Sequence, residues 1–448
     1  MNDSLSQRQI EPAATRLPGR PVYIVDGSRS PQLKANGKPG PFHAADLAVQ
    51  AGRELLIRQP FAADRFDEVI LGCVGPGPDE ANIARIAALR LGCGEHTPAY
   101  TVQRNCASGM QAVENAALDI ASGRAGLVLA GGAEAMSHSP VLLAESMVAW
   151  LAAWSRARGL AARSRQLTRL KPMMLKPIIG LLRGLTDPFT GLNMGQTAEK
   201  LAWRFDIGRE EMDAFAVQSH QRLAAAQQAG LLDAEITPLF DDHGKVWDKD
   251  DGVRPDSSVE KLAKLRPVFD RPVGRVTAGN SSQISDGAAW LILASETVVD
   301  KYDLPVLGRI VDSQWGALDP SEMGLGPVFA MAPLLQRHGL DSDDIDFWEI
   351  NEAFAAQVLA CLKAWHDDDY CRKQLGRERG FGAIPSSRLN VDGGGISLGH
   401  PVGASGARII LHLLHTLRRN KARRGVASLC IGGGQGGAVL VESLQESQ

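Results

Sequence analysis

Residues 107–121 read ASGMQAVENAALDIA, and residues 403–417 read GASGARIILHLLHTL. Both stretches carry Ala-Ser-Gly at or near their start and continue with small and apolar side chains at helical spacing. A strand-like run follows each of them, GLVLA at 126–130 and GVASLCI at 425–431. The same helix and strand are therefore predicted once in each half of the chain.

Two earlier segments extend this internal repeat. PVYIVD at 21–26 corresponds to PVLGRIVD at 305–312, and residues 67–74 correspond to DIDFWEINE at 344–352. Buried strands that alternate with helices predict an α/β fold with a largely parallel core. We interpret the repeat as a duplicated α/β unit in which each half buries its helices against the other. Chance similarity between two α/β units is the alternative.

The order of these segments predicts four regions in a chain of 448 residues, which is long for one simple core. They are a flexible N-terminal extension (1–20), an N-terminal half (21–136 plus 276–302), an inserted loop domain (137–275) and a C-terminal half (303–448). The extension is polar and lacks the apolar segment of a secretory signal.

Composition argues against several functional classes. The net charge of −3 gives no field that would attract nucleic acid, so no nucleic-acid partner is expected. No apolar run reaches the length of a membrane span. The six cysteines form no C-x-x-C pair and the histidines form no ligand cluster, which fits a reducing compartment and predicts no metal. We expect a cytoplasmic protein.

A cysteine lies just before the first repeated helix. The segment 103–109 reads QRNCASG and places Cys106 at the helix N-terminus. Free backbone N–H groups and the helix dipole favour a thiolate there, and a thiolate is the reactive species for acyl transfer. The alternative is a buried structural cysteine.

A histidine lies in the glycine-rich segment before the second repeated helix. Residues 393–406 read GGGISLGHPVGASG, and the glycines around His400 allow a ligand to approach the backbone closely. A helix N-terminus disfavours imidazolium, so a neutral His400 can act as a base. The alternative is a capping or core histidine.

Two further motifs follow strands. LCIGGGQGG at 429–437 places Cys430 at a strand end before a loop nearly bare of side chains, which can offer N–H groups to an oxyanion. A glycine-rich phosphate loop is the alternative, but the G-x-G-x-x-G pattern is not met. INEAFA at 350–355 contains Asn351, which can orient a water or donate a hydrogen bond, or can simply belong to an ordinary helix start.

Together these motifs resemble those of the thiolases. NCASG, NEAFA, GHPVGASG and CIGGG occur in the order and spacing of that family, and TAGNSSQISDGAA and KLRPVFDR are also similar to its segments. The resemblance covers the chain from about residue 21 to the C-terminus. It implies a duplicated α/β fold, a five-layered αβαβα core with an inserted loop domain.

The resemblance implies an acyltransferase of lipid metabolism that cleaves 3-ketoacyl-CoA to acetyl-CoA and a shortened acyl-CoA, or runs the reverse Claisen condensation. It implies that Cys106 takes the acyl group, that His400 accepts its proton, and that Cys430 exchanges the proton on the α carbon. One oxyanion hole would consist of His400 and a water held by Asn351. The other would consist of the N–H groups of Cys106 and Gly432.

The resemblance also implies how the substrate binds. Coenzyme A is a co-substrate, and no bound cofactor is expected. Ser282 matches a family position near the pantetheine, Arg254 matches a phosphate-contacting position, and Met194 and Phe354 match positions lining the acyl end. A solvated loop charge is the alternative for Arg254. The family forms dimers and tetramers, which implies a homodimer or homotetramer.

Residues 140–192 are longer than the corresponding region of short-chain members. Met147, Trp150, Leu151 and Trp154 fall on one helical face that can lie on an anionic membrane surface or against a partner. The segment is also basic, with Arg156, Arg158, Arg163, Arg165, Arg169, Lys171, Lys176 and Arg183 against Glu145 and Asp187.

This insertion resembles that of the β-subunits of fatty-acid oxidation complexes, which implies a partner subunit or a peripheral membrane location. In those subunits the motif usually begins with His, where this chain has Asn351. Packing of the helical face on the protein's own core or on a dimer mate is the alternative.

Two other functions compete with the thiolase interpretation. A ketoacyl synthase normally has His or Asn where this chain has Cys430. A non-catalytic scaffold that binds acyl-CoA or lipid would be expected to lose a catalytic residue, and each catalytic position is filled here. Gln283 replaces a small residue of some short-chain members and, with the long insertion, favours a longer or bulkier acyl chain.

Overall fold

The computed structural model describes residues 19–444, so the predicted extension 1–20 lies almost wholly outside the described part. The strands are β1 (Val22–Arg29), β2 (Leu33–Lys34), β3 (Glu68–Gly72), β4 (Ala99–Val102), β5 (Leu127–Ala135), β6 (Val141–Leu142), β7 (Ile178–Ile179), β8 (Leu239–Phe240), β9 (Val246–Trp247), β10 (Ser285–Ser295), β11 (Gly308–Ala317), β12 (Phe347–Ile350), β13 (Arg424–Ile431) and β14 (Gln435–Glu442).

The helices follow the segments that show helical spacing. They are α1 (Ala44–Ile57), α2 (Ile83–Arg90), α3 (Ser108–Ser122), α4 (Glu145–Arg156), α5 (Leu160–Leu167), α6 (Gly180–Gly184), α7 (Met194–Arg204), α8 (Arg209–Gln228), α9 (Val259–Leu262), α10 (Glu296–Tyr302), α11 (Gly326–His338), α12 (Ala355–His366), α13 (Asp368–Leu375), α14 (Gly395–Leu398) and α15 (Ser405–Arg419).

One ten-stranded sheet runs in the order β12-β13-β14-β11-β1-β10-β5-β3-β4, with β2 paired to β10. In the first half β10 is antiparallel to both β1 and β5, whereas β3 is parallel to β5 and β4. The second half repeats this pattern, with β14 antiparallel to β11 and β13, and β12 parallel to β13. The prediction of a largely parallel core is wrong, because β10 and β14 each run against both neighbours.

The duplication extends to individual side chains. Both β1 and β11 shift register by one residue, immediately before Asp26 and before Asp312. Each aspartate accepts hydrogen bonds from an arginine at the end of the following helix, Arg58 in the first half and Arg337 in the second. The two halves meet where β1 pairs with β11, which makes the sheet continuous. The domain boundaries stay predictions.

Three of the four hydrophobic clusters found among residues 19–444 hold the layers of the core together. The middle cluster contains α3 and α15 with strands of both halves. One outer cluster packs α1 and α2 on the first half, and the other packs α11 and α12 on the second. The Ala-Ser-Gly repeats permit the close approach of α3 and α15, because a Cβ on Gly109 would lie 2.7 Å from the Gly403 carbonyl oxygen, and one on Gly406 would lie 2.5 Å from the Met110 nitrogen.

The inserted region has two distinct parts. Helices α7 and α8 contribute buried side chains to the outer cluster of the C-terminal half. By contrast, residues 141–186 contain no buried residue. Within this stretch the Trp150 and Trp154 rings stack with centroids 5.4 Å apart, and Trp150 Nε1 donates to the Gln166 carbonyl oxygen at 2.8 Å. The aromatic face therefore packs on α5, whereas Leu151 stays exposed.

Candidate active site

Cys106 lies in a tight turn two residues before α3. Asn105 has φ 44°, in the left-handed region that asparagine tolerates better than most residues. Ser108 closes the turn, because its Oγ donates to the Asn105 carbonyl oxygen at 2.7 Å and accepts from the Arg104 N–H at 2.9 Å. This local geometry brings the half-buried Cys106 thiol to the amino end of α3.

Burial and backbone hydrogen bonds act on the pKa of Cys106 in opposite directions. Burial raises the pKa of Cys106, and hydrogen bonds from the N–H groups of Gly432 and of Cys106 itself lower it by less. The net effect raises the pKa of Cys106, because desolvation outweighs the backbone donors. Burial therefore opposes the thiolate that the amino end of the helix favours.

His400 is buried, and its hydrogen bonds determine its tautomer. Its Nδ1 lies 2.7 Å from Ser405 Oγ, which in turn donates to the Pro401 carbonyl oxygen at 3.0 Å. The serine oxygen therefore accepts the Nδ1 proton, which leaves the lone pair of the imidazole on Nε2. Burial, helped by the positive charge of Arg408, lowers the pKa of His400 to about 4. The imidazole is therefore neutral at physiological pH.

Asn351 follows β12 and lies beside this imidazole. Its backbone N–H donates to the Ser428 carbonyl oxygen at 2.9 Å, and its Nδ2 lies 3.4 Å from His400 Nε2. Its Oδ1 is buried and has no hydrogen-bond partner among residues 19–444. Because buried polar atoms are normally paired, this oxygen fits the acceptor that a water at this position requires.

Cys430 lies near the end of β13 and is buried. Burial, and then electrostatic repulsion from Cys106, raise the pKa of Cys430 well above the ordinary value. The second thiol is therefore a neutral acid close to the first. Two residues further on, Gly432 begins a run of three glycines in which Gly433 and Gly434 have φ values of 91° and 76°.

Glu352 holds the segment that carries His400. Its Oε2 accepts from Ser219 Oγ at 2.6 Å and from the Ile396 N–H at 3.3 Å, and its Oε1 accepts from Asn390 Nδ2 at 2.9 Å. A Cβ on Gly394 would overlap the Glu352 carboxylate at 2.4 Å. The carboxylate therefore packs directly under the glycine loop, which explains the glycine there.

Three of the four predicted substrate residues lie near the catalytic groups. Met194 starts α7, and its Sδ would lie 3.3 Å from a Cβ on Gly432. The Phe354 ring packs edge-on against Phe269 with centroids 5.9 Å apart. The Ser282 N–H donates at 2.9 Å to the carbonyl oxygen of the residue that precedes Phe354.

Arg254 lies on the surface, in a loop that connects indirectly to the His400 segment. Its backbone N–H donates to His220 Nδ1 at 3.2 Å. Two residues earlier, the Gly252 carbonyl oxygen accepts from Gln283 Nε2 at 2.8 Å, and the same Nε2 lies 3.2 Å from the Ile396 carbonyl oxygen. The large side chain of Gln283 thus ties two loops together.

Two residues near the catalytic groups escaped the sequence analysis. Ser405 sets the tautomer of His400, and Asn105 donates from Nδ2 to the Gly432 carbonyl oxygen at 2.8 Å. Asn105 lies in the NCASG motif with Cys106, and Ser405 lies in the GHPVGASG motif with His400. Only the position of the Ala-Ser-Gly serine, five residues after His400, could have pointed to Ser405.

Among residues 19–444, no group of three or more His, Cys, Asp or Glu side chains could hold a metal ion. Over the same part of the chain, no helix is long and apolar enough to cross a membrane.

Two thiols, a neutral imidazole and backbone amide donors, contributed by both halves of a duplicated fold, are groups that an acyl-transferring enzyme requires. Family models for the thiolase N-terminal domain and the thiolase C-terminal domain match residues 22–297 and 304–443. The chain belongs to the thiolase family.

Named relatives give a narrower comparison. The chain is 38% identical over 433 residues to the 3-ketoacyl-CoA thiolase of Yersinia enterocolitica, covering 96% of this chain and 98% of that protein. It is also similar to the crystal structure of human mitochondrial 3-ketoacyl-CoA thiolase in complex with CoA, with a TM-score of 0.81, 37% identity and coverage of 95% and 98%. The acetyl-CoA acetyltransferase of Bacillus anthracis gives the same TM-score and identity, with coverage of 95% and 100%.

Proposed function

We propose that the protein cleaves 3-ketoacyl-CoA with coenzyme A, yielding acetyl-CoA and an acyl-CoA shortened by two carbons, and that it catalyses the reverse condensation. The observation that carries this proposal is that the Cys106 turn meets the Gly432 loop, where Asn105 Nδ2 donates to the Gly432 carbonyl oxygen at 2.8 Å, beside a second buried thiol, Cys430. This arrangement suits a thioester whose carbonyl oxygen needs two donors.

In the first step, the Cys106 sulfur attacks the keto carbon of the substrate and its proton passes to His400 Nε2. The new alkoxide is held by the N–H groups of Cys106 and Gly432. Collapse of the alkoxide breaks the bond between the α carbon and the keto carbon, which leaves an acyl group on Cys106. Removal of one such donor typically costs about 3 kcal/mol of barrier.

The leaving fragment is the enolate of acetyl-CoA. Its oxygen accepts a hydrogen bond from the protonated His400 and from a water held by Asn351. Cys430 donates its proton to the α carbon, which releases acetyl-CoA. The high pKa of Cys430, caused by burial and by the neighbouring Cys106, keeps this thiol protonated until the enolate forms.

In the second step, the thiol of coenzyme A attacks the acyl-Cys106 carbonyl carbon. The oxygen again lies against the two N–H groups, and the attacking thiol gives its proton to the Cys430 thiolate left by the first step, while the proton held by His400 returns to the Cys106 sulfur as it leaves. Breakdown of the intermediate releases the shortened acyl-CoA and returns Cys106 to its protonated state. The same sequence read backwards is the Claisen condensation, so one set of groups serves both directions.

Four side chains are proposed to bind the substrate. Met194 and Phe354 line the acyl end, Ser282 contacts the pantetheine, and Arg254 contacts a phosphate. The positions of Met194 beside Gly432 and of Ser282 beside the Phe354 turn support the first three assignments. Arg254 is exposed, so its guanidinium is accessible to a phosphate in solvent.

The test is the loss of ketoacyl-thioester enolate absorbance with purified enzyme, coenzyme A and a ladder of 3-ketoacyl-CoA chain lengths. We expect turnover that disappears in Cys106→Ala and survives in Cys93→Ala, a buried thiol of the first half. The preferred length defines the substrate class. Absence of turnover at every length, with a folded protein that binds acyl-CoA, would contradict the proposal and favour the scaffold.

A second proposal concerns residues 141–186, which we propose contact an anionic membrane surface. Monomeric proteins rarely expose a large apolar surface without a binding role. The exposed apolar side chains here are Val141, Leu142, Leu143, Val148, Leu151, Leu160, Leu167, Met173, Leu175, Ile179 and Leu182. The arginine and lysine side chains of the same stretch are attracted to anionic headgroups.

Vesicle sedimentation tests this surface. We expect binding to vesicles containing phosphatidylglycerol and not to pure phosphatidylcholine, and loss of binding in the double variant Leu160→Glu, Met173→Glu. Leu89→Glu, on α2, is the matched control. Absence of vesicle binding would contradict the proposal and favour a partner subunit. Light scattering on the purified protein without vesicles tests the expected homodimer or homotetramer against the mass of the 48.0 kDa chain.

A further inference from the structure

The side chain of Asn105 connects the turn that carries Cys106 to the glycine loop after β13. Its Nδ2 donates to the Gly432 carbonyl oxygen at 2.8 Å. A backbone hydrogen bond from the same glycine lowers the pKa of the Cys106 thiol. One residue thus precedes the nucleophile in sequence and also binds the residue that supplies the second donor.

The glycine loop needs such support. Gly432, Gly433 and Gly434 are consecutive, and glycine has the largest backbone freedom of all residues. A Cβ on Gly433 would find no atom within 4 Å, so neighbouring atoms do not confine this residue. A hydrogen bond to the Gly432 carbonyl oxygen restrains the peptide plane next to the active N–H. A separate hydrogen bond holds the other end of the loop, because the Leu318 N–H donates to the Gly434 carbonyl oxygen at 2.8 Å.

The backbone of Asn105 is itself fixed. Its φ of 44° is left-handed, and its carbonyl oxygen accepts from the N–H and the Oγ of Ser108. The Asn105 side chain therefore projects from a rigid turn, and its reach towards Gly432 does not depend on a flexible segment.

We infer that Asn105 is a positioning residue that fixes the Gly432 N–H beside the Cys106 sulfur. The inference rests on the proposed function, because that N–H is one of the two donors assigned to the oxyanion. Asn105 does not touch the reacting atoms in this account. It acts through Gly432, and its loss is expected to weaken a donor without removing it.

Two variants isolate this role. Asn105→Gly keeps the left-handed turn and removes the donor. Asn105→Asp keeps the size and the left-handed tolerance but places a carboxylate oxygen, which cannot donate, near the Gly432 carbonyl oxygen. Gln103→Ala is the matched control, because Gln103 lies in the same turn and its amide reaches Asn105 Oδ1 at 3.4 Å rather than the glycine loop.

We expect kcat to fall about ten- to a hundredfold in both variants. This decrease is no larger than the one expected when a single oxyanion donor is removed. KM for coenzyme A should change by less than about threefold, and Gln103→Ala should behave as wild type. The pH midpoint for alkylation of Cys106 by iodoacetamide should rise in Asn105→Gly, since the Gly432 N–H lowers the pKa of this thiol.

The alkylation measurement needs no acyl-CoA, so it tests Asn105 even if every 3-ketoacyl-CoA proves inactive with the wild type. An unchanged midpoint in Asn105→Gly overturns the inference, whether or not kcat falls, because the loss would not act through Gly432. Failure of both variants to fold, followed by thermal denaturation, also overturns it, since Asn105 would then support the fold rather than the donor.

Discussion

Nδ1 of His400 lies 2.7 Å from the Oγ of Ser405, and this oxygen donates its single proton to the Pro401 carbonyl oxygen. The serine can therefore only accept from the imidazole, which fixes the proton on Nδ1 and the lone pair on Nε2. The proposed catalytic base is thus oriented by a residue of its own loop, at the first residue of α15.

Ser405→Ala should lower kcat about ten- to a hundredfold, because the imidazole loses the bond that selects its tautomer. KM for the ketoacyl-CoA should change little. Steady-state kinetics on the best substrate checks this. The control is Ser28→Ala, which removes another buried hydroxyl that donates to a backbone carbonyl oxygen, at 2.6 Å from Ala51. Equal losses in both variants would point to general destabilisation instead.

Cys430→Ser should separate the two halves of the reaction. Acylation of Cys106 by an acyl-CoA does not need the acid at the α carbon, whereas protonation of the enolate does. We expect a rapid burst of CoA release with acetyl-CoA, and a kcat for cleavage that falls about a hundredfold or more. Cys361→Ser, which alters a neighbouring buried thiol bonded to the Gly324 carbonyl oxygen, should retain both. Loss of the burst in Cys430→Ser would contradict the assignment.

The decline of kcat/KM on the acid side of its pH profile should occur at lower pH than for an ordinary histidine base. The folded pKa of His400 is about 4, below the ordinary 6.5, because of burial and Arg408. The base therefore stays unprotonated to lower pH, and kcat/KM should vary by less than about twofold between pH 8 and 5.5. An unperturbed histidine would lose about tenfold over that range. Recovery of activity after return to pH 7.5 separates titration from denaturation, and a midpoint near 6.5 would contradict the account.

A buried ionic cluster predicts how stability depends on pH. His412 lies 3.0 Å from Glu235 and 3.2 Å from Asp392. Burial lowers the pKa of His412, but the charges and hydrogen bonds of Glu235 and Asp392 outweigh it and raise the pKa to about 10. The folded pKa exceeds the unfolded 6.5, so the stabilisation is complete below pH 6.5 and is lost as pH rises towards 10.

The free energy of unfolding of the wild type, measured by urea denaturation, should therefore fall across this range by at most about 1.4 kcal/mol per pH unit. His412→Gln should be less stable at pH 6 and should show a flatter dependence. His366→Gln, at an exposed position, is the control. Parallel curves for the wild type and His412→Gln would exclude His412 as the titrating group.

The sequence predicted the fold well where apolar periodicity and repeats coincide. The helix observed at Ser108–Ser122 was expected at 107–122, and the duplicated order of elements recurs as a duplicated pairing pattern. Strand direction was not predictable from the same pattern. A strand such as β10 reads as fully buried whether its neighbours run parallel or antiparallel, and the insertion before it hides which partner it joins.

The candidate catalytic residues came from motifs, but the effect of burial on their protonation could not be predicted from those motifs. A helix N-terminus argued for a thiolate at Cys106, whereas the extent of burial, which sequence does not reveal, sets the opposite direction of the pKa. Roles that depend on a bond across the fold were also hidden. The contact of Asn105 with Gly432 joins residues from the two halves, and no local pattern marks it.

The most direct test of the central claim is the identity of the acylated residue. The enzyme would be mixed with 3-ketoacyl-CoA in the absence of free coenzyme A, quenched in acid, digested and analysed by mass spectrometry. The account predicts an acyl group, two carbons shorter than the substrate chain, on Cys106, with stoichiometric release of acetyl-CoA. An acyl group on another residue, or turnover with no acylated protein, would contradict it.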